Sequence, residues 1–247
     1  MDADEGLGRL RALGFGDADA QELWAHFDGA ERRGKQGHGH ARIPWLEGLE
    51  GYDPSAEPTL LEEEGGFQRW HGGGAIGYLV LGRVVQAQLE RPPSHARLVV
   101  CERTFPTGML GHHVRRLAEG GLVGVLTATS PRRLGHPSGG PKLAGTNPLA
   151  VGIPSSGGDP VVADVSMGAI TWGDVVAGLA REDELVPFGG EQAHKAFALA
   201  LGLQLLVDAL VRDEGHGAVL LVARPEADPV PELRRLAAGV RLPGDSS

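Results

Sequence analysis

Patterns typical of buried strands and of amphipathic helices are intermixed along the whole chain, and this order constrains the fold more than any other feature. Four short apolar runs rich in β-branched residues have the pattern of buried strands: "ARLVVCE", "GLVGVLTAT", "PVVADVS" and "GAVLLVA". Helical patterns lie between them, over residues 108–119 and, as the longest apolar-faced helix, over residues 194–213. The sequence therefore predicts an α/β or α+β protein.

Three more helices are predicted outside these runs. Asp17 is a candidate N-cap for the first, and four apolar side chains follow on one face: Ala20, Leu23, Trp24 and Phe27. The second is expected over residues 76–89, because two prolines follow it, and the last within "PVPELRRLAAGV". The glycine- and proline-rich residues 130–160 are predicted to form one long loop of the kind that carries function.

Length, charge and cysteine content narrow the class of protein. At 247 residues the chain can bury a sizeable core, and we expect a single compact unit over 1–247. The formal charge of -9 argues against a nucleic acid as the main partner. The lone Cys101 lies in "RLVVCER", where a buried strand thiol is expected and a reactive thiol is the alternative.

The sequence also bears on the compartment. Its N-terminus, "MDADEGLGRL", is acidic and lacks the apolar stretch of a signal peptide. A membrane span needs about 18 consecutive apolar residues, and no such run occurs. Because a single cysteine also fits a reducing compartment, we expect a cytoplasmic protein with no membrane partner.

Several familiar motifs are incomplete in this chain. The stretch "GGGAIG" satisfies G-x-G-x-x-G at Gly72, Gly74 and Gly77, yet "GGFQRWH" before it is not predicted as a buried strand, which disfavours a Rossmann fold. The histidine pairs 38/40 and 112/113 do not match a zinc spacing, so no metal site is expected. The sequence contains no G-x-S-x-G nucleophile motif.

The stretch "GHGHAR" places a histidine and an arginine four residues apart. An imidazole can give a proton to the heteroatom that gains charge when hydride adds to a C=O or C=N carbon. An arginine can hold a neighbouring carboxylate through two parallel N–H bonds. His38 and Arg42 therefore suit acid catalysis on a carboxylate-bearing substrate, with a polar helix end as the alternative.

The order of several motifs resembles a known family. The stretches "GHGHAR", "TGMLGHH", "GGPKLAGTNP", "VVADVSMG" and "HKAF" occur in the order found in the malate/L-lactate dehydrogenase-like oxidoreductases, and "VRLPGD" is similar to their C-terminal end. This family includes sulfolactate and ureidoglycolate dehydrogenases and ketimine reductases. The resemblance covers nearly the whole chain. It implies a non-Rossmann fold with a mixed, mainly antiparallel sheet flanked by helices.

The resemblance also implies roles for individual residues. His38 matches the proton donor, Arg42 the carboxylate contact, and Asp174 in "WGDVV" the partner of the histidine in ketimine reductases. The substrate turn matches Thr146 and Asn147, and the cofactor contacts match Gly108, Asp164, Ser166 and Lys195. These positions imply an NADPH- or NADH-dependent reductase of a small cyclic imine carboxylate or 2-oxo acid.

Two departures leave a second function open. Gly37 stands where the family has a serine, and Pro106 stands where it has a histidine. The alternative is a redox-inactive family member that acts as a cofactor-free cyclase or isomerase, or that binds a metabolite or a partner protein.

Assembly and domain division are further expectations from the resemblance. It implies a homodimer, for which the apolar helix over 194–213 would suit burial, although the same helix could simply be core. A division of the unit is also considered, with 1–70 plus 190–247 as a substrate and dimerisation part and 71–189 as a cofactor-binding part.

Overall fold

The computed structural model describes residues 1–245; the last two residues of the predicted tail "RLPGDSS" and of the predicted unit 1–247 lie outside the described residues. Its helices are α1 (Ala3–Ala12), α2 (Asp17–Arg32), α3 (Arg42–Glu47), α4 (Gly77–Glu90), α5 (Leu110–Glu119), α6 (Trp172–Val176), α7 (Ala193–Leu210) and α8 (Val230–Leu236). Its strands are β1 (Thr59–Glu64), β2 (Phe67–His71), β3 (Ala96–Glu102), β4 (Val123–Ala128), β5 (Leu134–Gly135), β6 (Lys142–Ala144), β7 (Leu149–Ile153), β8 (Val161–Val165) and β9 (Ala218–Ala223).

One seven-stranded sheet organises the fold, with the strand order β1-β2-β3-β9-β4-β7-β8. Only β2 and β3 pair in parallel, and the other five pairs are antiparallel. The predicted mixed, mainly antiparallel sheet flanked by helices is therefore confirmed. Strands from 1–70, 71–189 and 190–247 all enter this sheet, and the two-part division stays a prediction.

The four apolar runs form the strands β3, β4, β8 and β9, as predicted. The prediction of one long loop over 130–160 was wrong, because it contains the hairpin β5–β6 and the sheet strand β7. Strand β7 has only five residues, and prolines and glycines on both sides hide its pattern. The predicted N-cap Asp17 is also corrected: Gly16 caps α2, and the Asp17 carboxylate accepts from Arg11 at 2.7 Å.

The glycine-rich stretch before α4 is directly preceded by strand β2. The expectation that "GGFQRWH" is not a buried strand was wrong, since β2 has three buried residues and pairs with β3. The strand was missed because two of those residues, Gln68 and Arg69, are polar. A Cβ on Gly72 would overlap the carbonyl oxygen of Arg103, and one on Gly77 would lie 2.6 Å from the Phe105 nitrogen. The glycines thus let two backbone segments pack closely.

Two main cores hold the fold together. The larger lies between the sheet and the helices α4 and α5, and the other joins α1, α2, α3 and the start of α4. Cys101 is fully buried in the larger core, and burial raises the pKa of its thiol to about 12, in agreement with the predicted structural role. Packing in these cores holds the C-terminal end of α2 near the N-terminal end of α5.

Candidate active site

A cavity of about 580 Å³ lies where the exit of α2, the start of α5, the end of β8 and α6 meet. Its volume is within the range of roughly 300–1,000 Å³ that is usual for small-molecule sites. Seven predicted site residues line it: His38, Arg42, Gly108, Thr146, Asp164, Ser166 and Asp174. The fold thus brings together residues that are as much as 136 positions apart in sequence, as His38 and Asp174 show.

Arg42 is a buried cation without a counter-charge. It is the first residue of α3 and is only 6% exposed. Its guanidinium lies 4.7 Å from the centroid of the Trp45 ring, and its Nε has no hydrogen-bond partner among the described residues. Within residues 1–245 it forms no ion pair. Burying an unpaired charge is costly, so this position favours an anionic ligand.

His38 closes the short 3₁₀ turn that links α2 to α3. Burial and the nearby Arg42 charge lower the pKa of its imidazole to about 3, while Asp174 acts in the opposite direction. Its Nδ1 is buried and has no hydrogen-bond partner among the described residues. The imidazole is therefore neutral at pH 7 in this state. An anion bound to Arg42 would neutralise the Arg42 charge, which is the second cause of the lowered pKa of His38.

Asp174 is placed beside His38 by a close contact of two glycines. A Cβ on Gly173 would overlap the carbonyl oxygen of Gly37, and a Cβ on Gly37 would overlap Asp174 Oδ1. Asp174 Oδ2 accepts from the backbone nitrogen and the hydroxyl of Thr171, both at 2.8 Å, and so caps α6. No hydrogen bond joins Asp174 to His38 in the described chain, and the orienting role of Asp174 stays a prediction.

The start of α5 is fixed from two sides. Asp164 Oδ2 accepts from the Gly111 nitrogen at 2.8 Å, and burial raises the pKa of this carboxyl. On the other side, His26 Nε2 accepts from the Met109 nitrogen at 3.0 Å. Gly108 has a φ of +67° and contacts His26 so closely that a Cβ would overlap the ring. A rigid glycine turn therefore faces the cavity.

The other predicted positions divide into lining and supporting residues. Thr146 and Ser166 line the cavity, and the Ser166 hydroxyl accepts from the Gly168 nitrogen at 3.2 Å. Asn147 is buried behind the wall, where its Nδ2 donates to the Ala200 carbonyl at 2.9 Å. Lys195 is exposed on α7 and does not line the cavity. The binding roles of Asn147 and Lys195 stay predictions.

A second cavity, of about 480 Å³, adjoins the first. The two share four lining residues: Lys35, Met109, Asp164 and Val165. Arginines 33, 115, 116 and 241 line the second cavity. Arg115 has a lowered pKa because it is partly buried and lies near Arg33. A chain of two cavities with a cationic far end fits a dinucleotide whose phosphates need counter-charges.

Sequence reasoning missed several residues of the site. Tyr78 lines the first cavity with a buried hydroxyl that has no hydrogen-bond partner in the described part of the chain. Lys35, Arg133 and Trp172 also line it. Trp172 lies within the stretch "WGDVV" and Lys35 lies two residues before "GHGHAR", so inspection of these stretches could have found both. Among residues 1–245, no group of three or more His, Cys, Asp and Glu side chains is arranged to hold a metal ion.

Helix α7 presents apolar residues to the surface. By length and composition alone, residues 190–210 could cross a membrane, and 33% of the apolar window is buried. One such helix is weak evidence, because core helices of soluble proteins have the same properties. Leu199 and Leu205 are 52% and 59% exposed, so part of the apolar surface of this helix is not covered by the core.

The chain matches a family model and several curated proteins. The model for malate/L-lactate dehydrogenase matches residues 7–181. A delta(1)-pyrroline-2-carboxylate reductase of Pseudomonas fluorescens is 30% identical over 65% of this chain and 54% of its own length. An NADP⁺-dependent (2R)-3-sulfolactate dehydrogenase of Chromohalobacter salexigens is 26% identical over 68% of this chain and 51% of its own. The chain thus spans about half the length of these curated relatives.

Solved structures share the fold. A dehydrogenase from Sinorhizobium meliloti superposes with a TM-score of 0.82 and 24% identity, over 98% of this chain and 87% of that one. The delta1-piperideine-2-carboxylate reductase of Pseudomonas syringae gives a TM-score of 0.81 and 23% identity, over 98% and 89%. Since the family model covers well over half of the residues, this chain belongs to the malate/L-lactate dehydrogenase family of oxidoreductases.

Proposed function

We propose that the protein is an NAD(P)H-dependent reductase of a small cyclic imine carboxylate or 2-oxo acid. The observation that carries this proposal is the buried Arg42, which lacks a counter-charge and lies beside His38 in a cavity of about 580 Å³. The names of the relatives agree with it, since they include a pyrroline-2-carboxylate reductase and a sulfolactate dehydrogenase.

Arg42 binds the substrate carboxylate in this proposal. A guanidinium stacked on an indole ring keeps its edge N–H groups free for two parallel bonds to a carboxylate. Holding the acid in this way fixes the neighbouring C=O or C=N carbon at one position in the cavity. Binding also neutralises Arg42 and thereby raises the pKa of His38 from its low value.

His38 is the proton donor to the heteroatom of the substrate in this proposal. Its imidazole gives the proton to that heteroatom, and pairing of Arg42 with the substrate removes the second-largest cause of the low pKa of His38. Asp174 faces it from α6 and favours the charged form. Asp174 also favours an imine over a keto acid as the substrate, because the ketimine reductases that this chain resembles have an aspartate at the matching position.

The two adjoining cavities accommodate the cofactor in this proposal. NADPH or NADH supplies the hydride when bound. The glycine turn at Gly108, with Asp164 and Ser166, forms the wall near the substrate, and the arginines of the second cavity neutralise phosphates. The lining of the second cavity has five basic side chains and three carboxylates, Glu119, Asp164 and Asp245, and this balance suits the additional phosphate of NADPH.

Assembly and location complete the proposal. We expect two copies to associate through the exposed apolar face of α7, where Leu199, Leu205 and Leu206 lie, because a solvent-exposed leucine face of this kind is typical of an interface. The single buried cysteine is compatible with the cytoplasm.

The test is steady-state kinetics on the purified full chain. Oxidation of NADPH and NADH is followed with a cyclic ketimine carboxylate and with a 2-oxo acid. Arg42→Gln removes charge-assisted bonds of about 1.5–3 kcal/mol, so the KM for the acid should rise roughly 10- to 150-fold. Arg32→Gln is the matched control, because Arg32 is exposed on α2 and only pairs with Asp28.

Two outcomes would contradict the proposal. One is the absence of turnover with every ketimine and 2-oxo acid tested, and the other is an unchanged KM in Arg42→Gln. Failure to bind either cofactor, together with retained binding of carboxylates, would favour the cofactor-free alternative. Gly37 and Pro106 motivate that alternative, since Pro106 gives the cavity an apolar wall and Gly37 has no hydroxyl.

A further inference from the structure

We infer that the hydroxyl of Tyr78 shares with Arg42 the binding of the substrate carboxylate and so helps to position the acid in the cavity. This inference rests on the proposed function and adds a substrate-binding residue to it. It comes from a buried hydroxyl on α4 that the sequence motifs did not single out.

The ring of Tyr78 is held in place by its neighbours. It is only 2% exposed and packs edge-on against His26 and Phe27, with ring centroids 5.0 and 5.2 Å apart. A Cβ on Gly108 would overlap the same ring, so the glycine turn covers another of its edges. Because dense packing of this kind leaves little room for another rotamer, the hydroxyl keeps one position in the wall of the first cavity.

The hydroxyl of Tyr78 has no hydrogen-bond partner within residues 1–245. Burial raises the pKa of the phenol, which is therefore neutral at pH 7 and carries its proton. A buried hydroxyl without a partner costs free energy that an acceptor on a ligand would recover. Since Tyr78 lines the cavity, a bound molecule can supply that acceptor.

Arg42 lies on the same side of the cavity as this hydroxyl. Ile43, the next residue of α3, packs with Tyr78 in the core that joins α1, α2, α3 and the start of α4. The Arg42 charge lies close enough to lower the pKa of the phenol, against the larger effect of burial. Arg42 Nε also lacks a partner in the described chain, and a guanidinium has no acceptor to offer the hydroxyl. Two buried donors at the cavity wall therefore lack an acceptor.

A carboxylate is the acceptor that satisfies both donors. Its two oxygens provide about four lone-pair positions, and two parallel bonds from a guanidinium use only one on each oxygen. The Tyr78 hydroxyl can then donate to one of the remaining positions. Pro106 borders Tyr78, since a Cβ on Gly77 would lie 2.6 Å from the Pro106 carbonyl oxygen, and proline has no N–H to compete for the acid. The heteroatom of the substrate is left to His38.

The chain contains two tyrosines, and the other one is a matched control. Tyr52 stacks on Phe15 with ring centroids 5.7 Å apart, and its hydroxyl donates to the Leu46 carbonyl at 3.4 Å. It lies outside both cavities described above. Tyr52→Phe and Tyr78→Phe therefore each remove one hydroxyl and keep the ring, and only the second changes the cavity.

Steady-state kinetics measure the contact with the carboxylate. In Tyr78→Phe the KM for a cyclic ketimine carboxylate should rise about 10- to 100-fold, because a hydrogen bond to a charged group is lost. The kcat should change less than about threefold, since this bond is made in the ground state and in the transition state alike. Tyr52→Phe should keep both constants within about twofold.

Two kinetic results would overturn the inference. A lower kcat at unchanged KM would assign the hydroxyl to the reacting heteroatom instead of the carboxylate. Unchanged kcat and KM in Tyr78→Phe would show that the tyrosine only packs against its neighbours.

A binding measurement keeps the inference separate from the proposed reductase activity. Calorimetry uses picolinate, an unreactive planar carboxylate with the shape of a six-membered cyclic ketimine. Its binding should weaken at least about tenfold in Tyr78→Phe and stay unchanged in Tyr52→Phe. That result without turnover of any substrate would contradict the proposed function and support the inference. Equal binding to all three proteins, or binding to none, would overturn the inference, as would a loss of NADPH affinity in Tyr78→Phe with unchanged picolinate binding.

A spectroscopic measurement observes the hydroxyl directly. Tyr52→Phe leaves Tyr78 as the sole tyrosine, so tyrosine labelled at the hydroxyl-bearing carbon gives one nuclear magnetic resonance signal from this site. Saturation with picolinate should shift that signal, because the O–H gains an acceptor. A signal that stays unchanged while picolinate binds would overturn the inference.

Discussion

Acidification from pH 6 to pH 5 should destabilise the fold through its buried histidines. His26 and His113 are 2% and 1% exposed, and burial, followed by the neighbouring His112, lowers the pKa of both well below the ordinary value. Within the residues that the structure describes, neither nitrogen of His113 makes a well-formed hydrogen bond, although the imidazole lies near the backbone of Thr107. Both imidazoles are therefore neutral in the folded protein at these pH values.

The free energy of unfolding falls as the pH falls because the unfolded chain binds more protons than the folded chain. In the unfolded chain a histidine has a pKa of about 6.5 and takes up a proton below that pH, whereas the buried forms do not. The stability from these two residues is thus complete above about pH 6.5 and decreases as the pH falls toward their folded pKa values. Each contributes about 1.4 kcal/mol per pH unit, so two give a loss of roughly 2–3 kcal/mol between pH 6 and pH 5.

Two further histidines reinforce this trend. The pKa of His112 is lowered to about 4 and that of His38 to about 3, in both cases chiefly by burial, and both add to the loss. The Asp213 carboxyl has a pKa of about 2, because Arg103 and His71 bond to it, and it therefore loses its contribution mainly below pH 4. The loss between pH 6 and pH 5 is accordingly a histidine effect.

Urea unfolding at pH 7, 6 and 5, followed by tryptophan fluorescence, measures this loss. His113→Phe should reduce the slope between pH 6 and pH 5 by about 1.4 kcal/mol per pH unit, and the exposed His95→Gln is the matched control. A free energy of unfolding that changes by less than about 0.5 kcal/mol between pH 6 and pH 5 would refute the reasoning.

Three further predictions concern the site and the assembly. Gly37→Ser should lower kcat/KM rather than improve it, because the new Cβ overlaps Asp174 Oδ1 at a cost of about 1–3 kcal/mol; an increase would contradict this packing. His26→Phe removes the acceptor at the start of α5 and should weaken NADPH binding about five- to tenfold by fluorescence titration, with a smaller effect on the KM for the carboxylate substrate. Leu205→Glu should convert a dimer into a monomer in light scattering, whereas the control Leu236→Glu, at a leucine on α8 that is even more exposed, should not.

The class of fold could be predicted from the sequence because its central strands contain continuous apolar runs. Strands β3 and β9 lie in the middle of the sheet and contain the mostly buried runs "LVVC" and "AVLLVA". Strand β1, "TLLEEE", lies at the edge and is mostly exposed, so its sequence carries no burial pattern. Strand β2 buries Gln68 and Arg69, whose partners come from distant segments that sequence alone does not reveal.

The site could be predicted only in part, for a similar reason. Residues His38 and Arg42 were found because their chemistry is contained in one short stretch. Arg133 was not found, because its position in the cavity depends on its stack with Trp172, which is 39 residues away in sequence. Lys195 was selected by resemblance alone, and its exposed position on α7 is set by tertiary packing.

Transfer of deuterium tests the central claim most directly. The protein is incubated with a cyclic ketimine carboxylate and NADPH that carries deuterium at the transferable ring position, in separate samples for each face, and the product is analysed by mass spectrometry. We expect one of the two labels to appear in the reduced product, at a rate that Arg42→Gln and His38→Ala lower and Arg32→Gln does not. Unlabelled product, or equal labelling rates in all four proteins, would contradict a reductase built on His38 and Arg42.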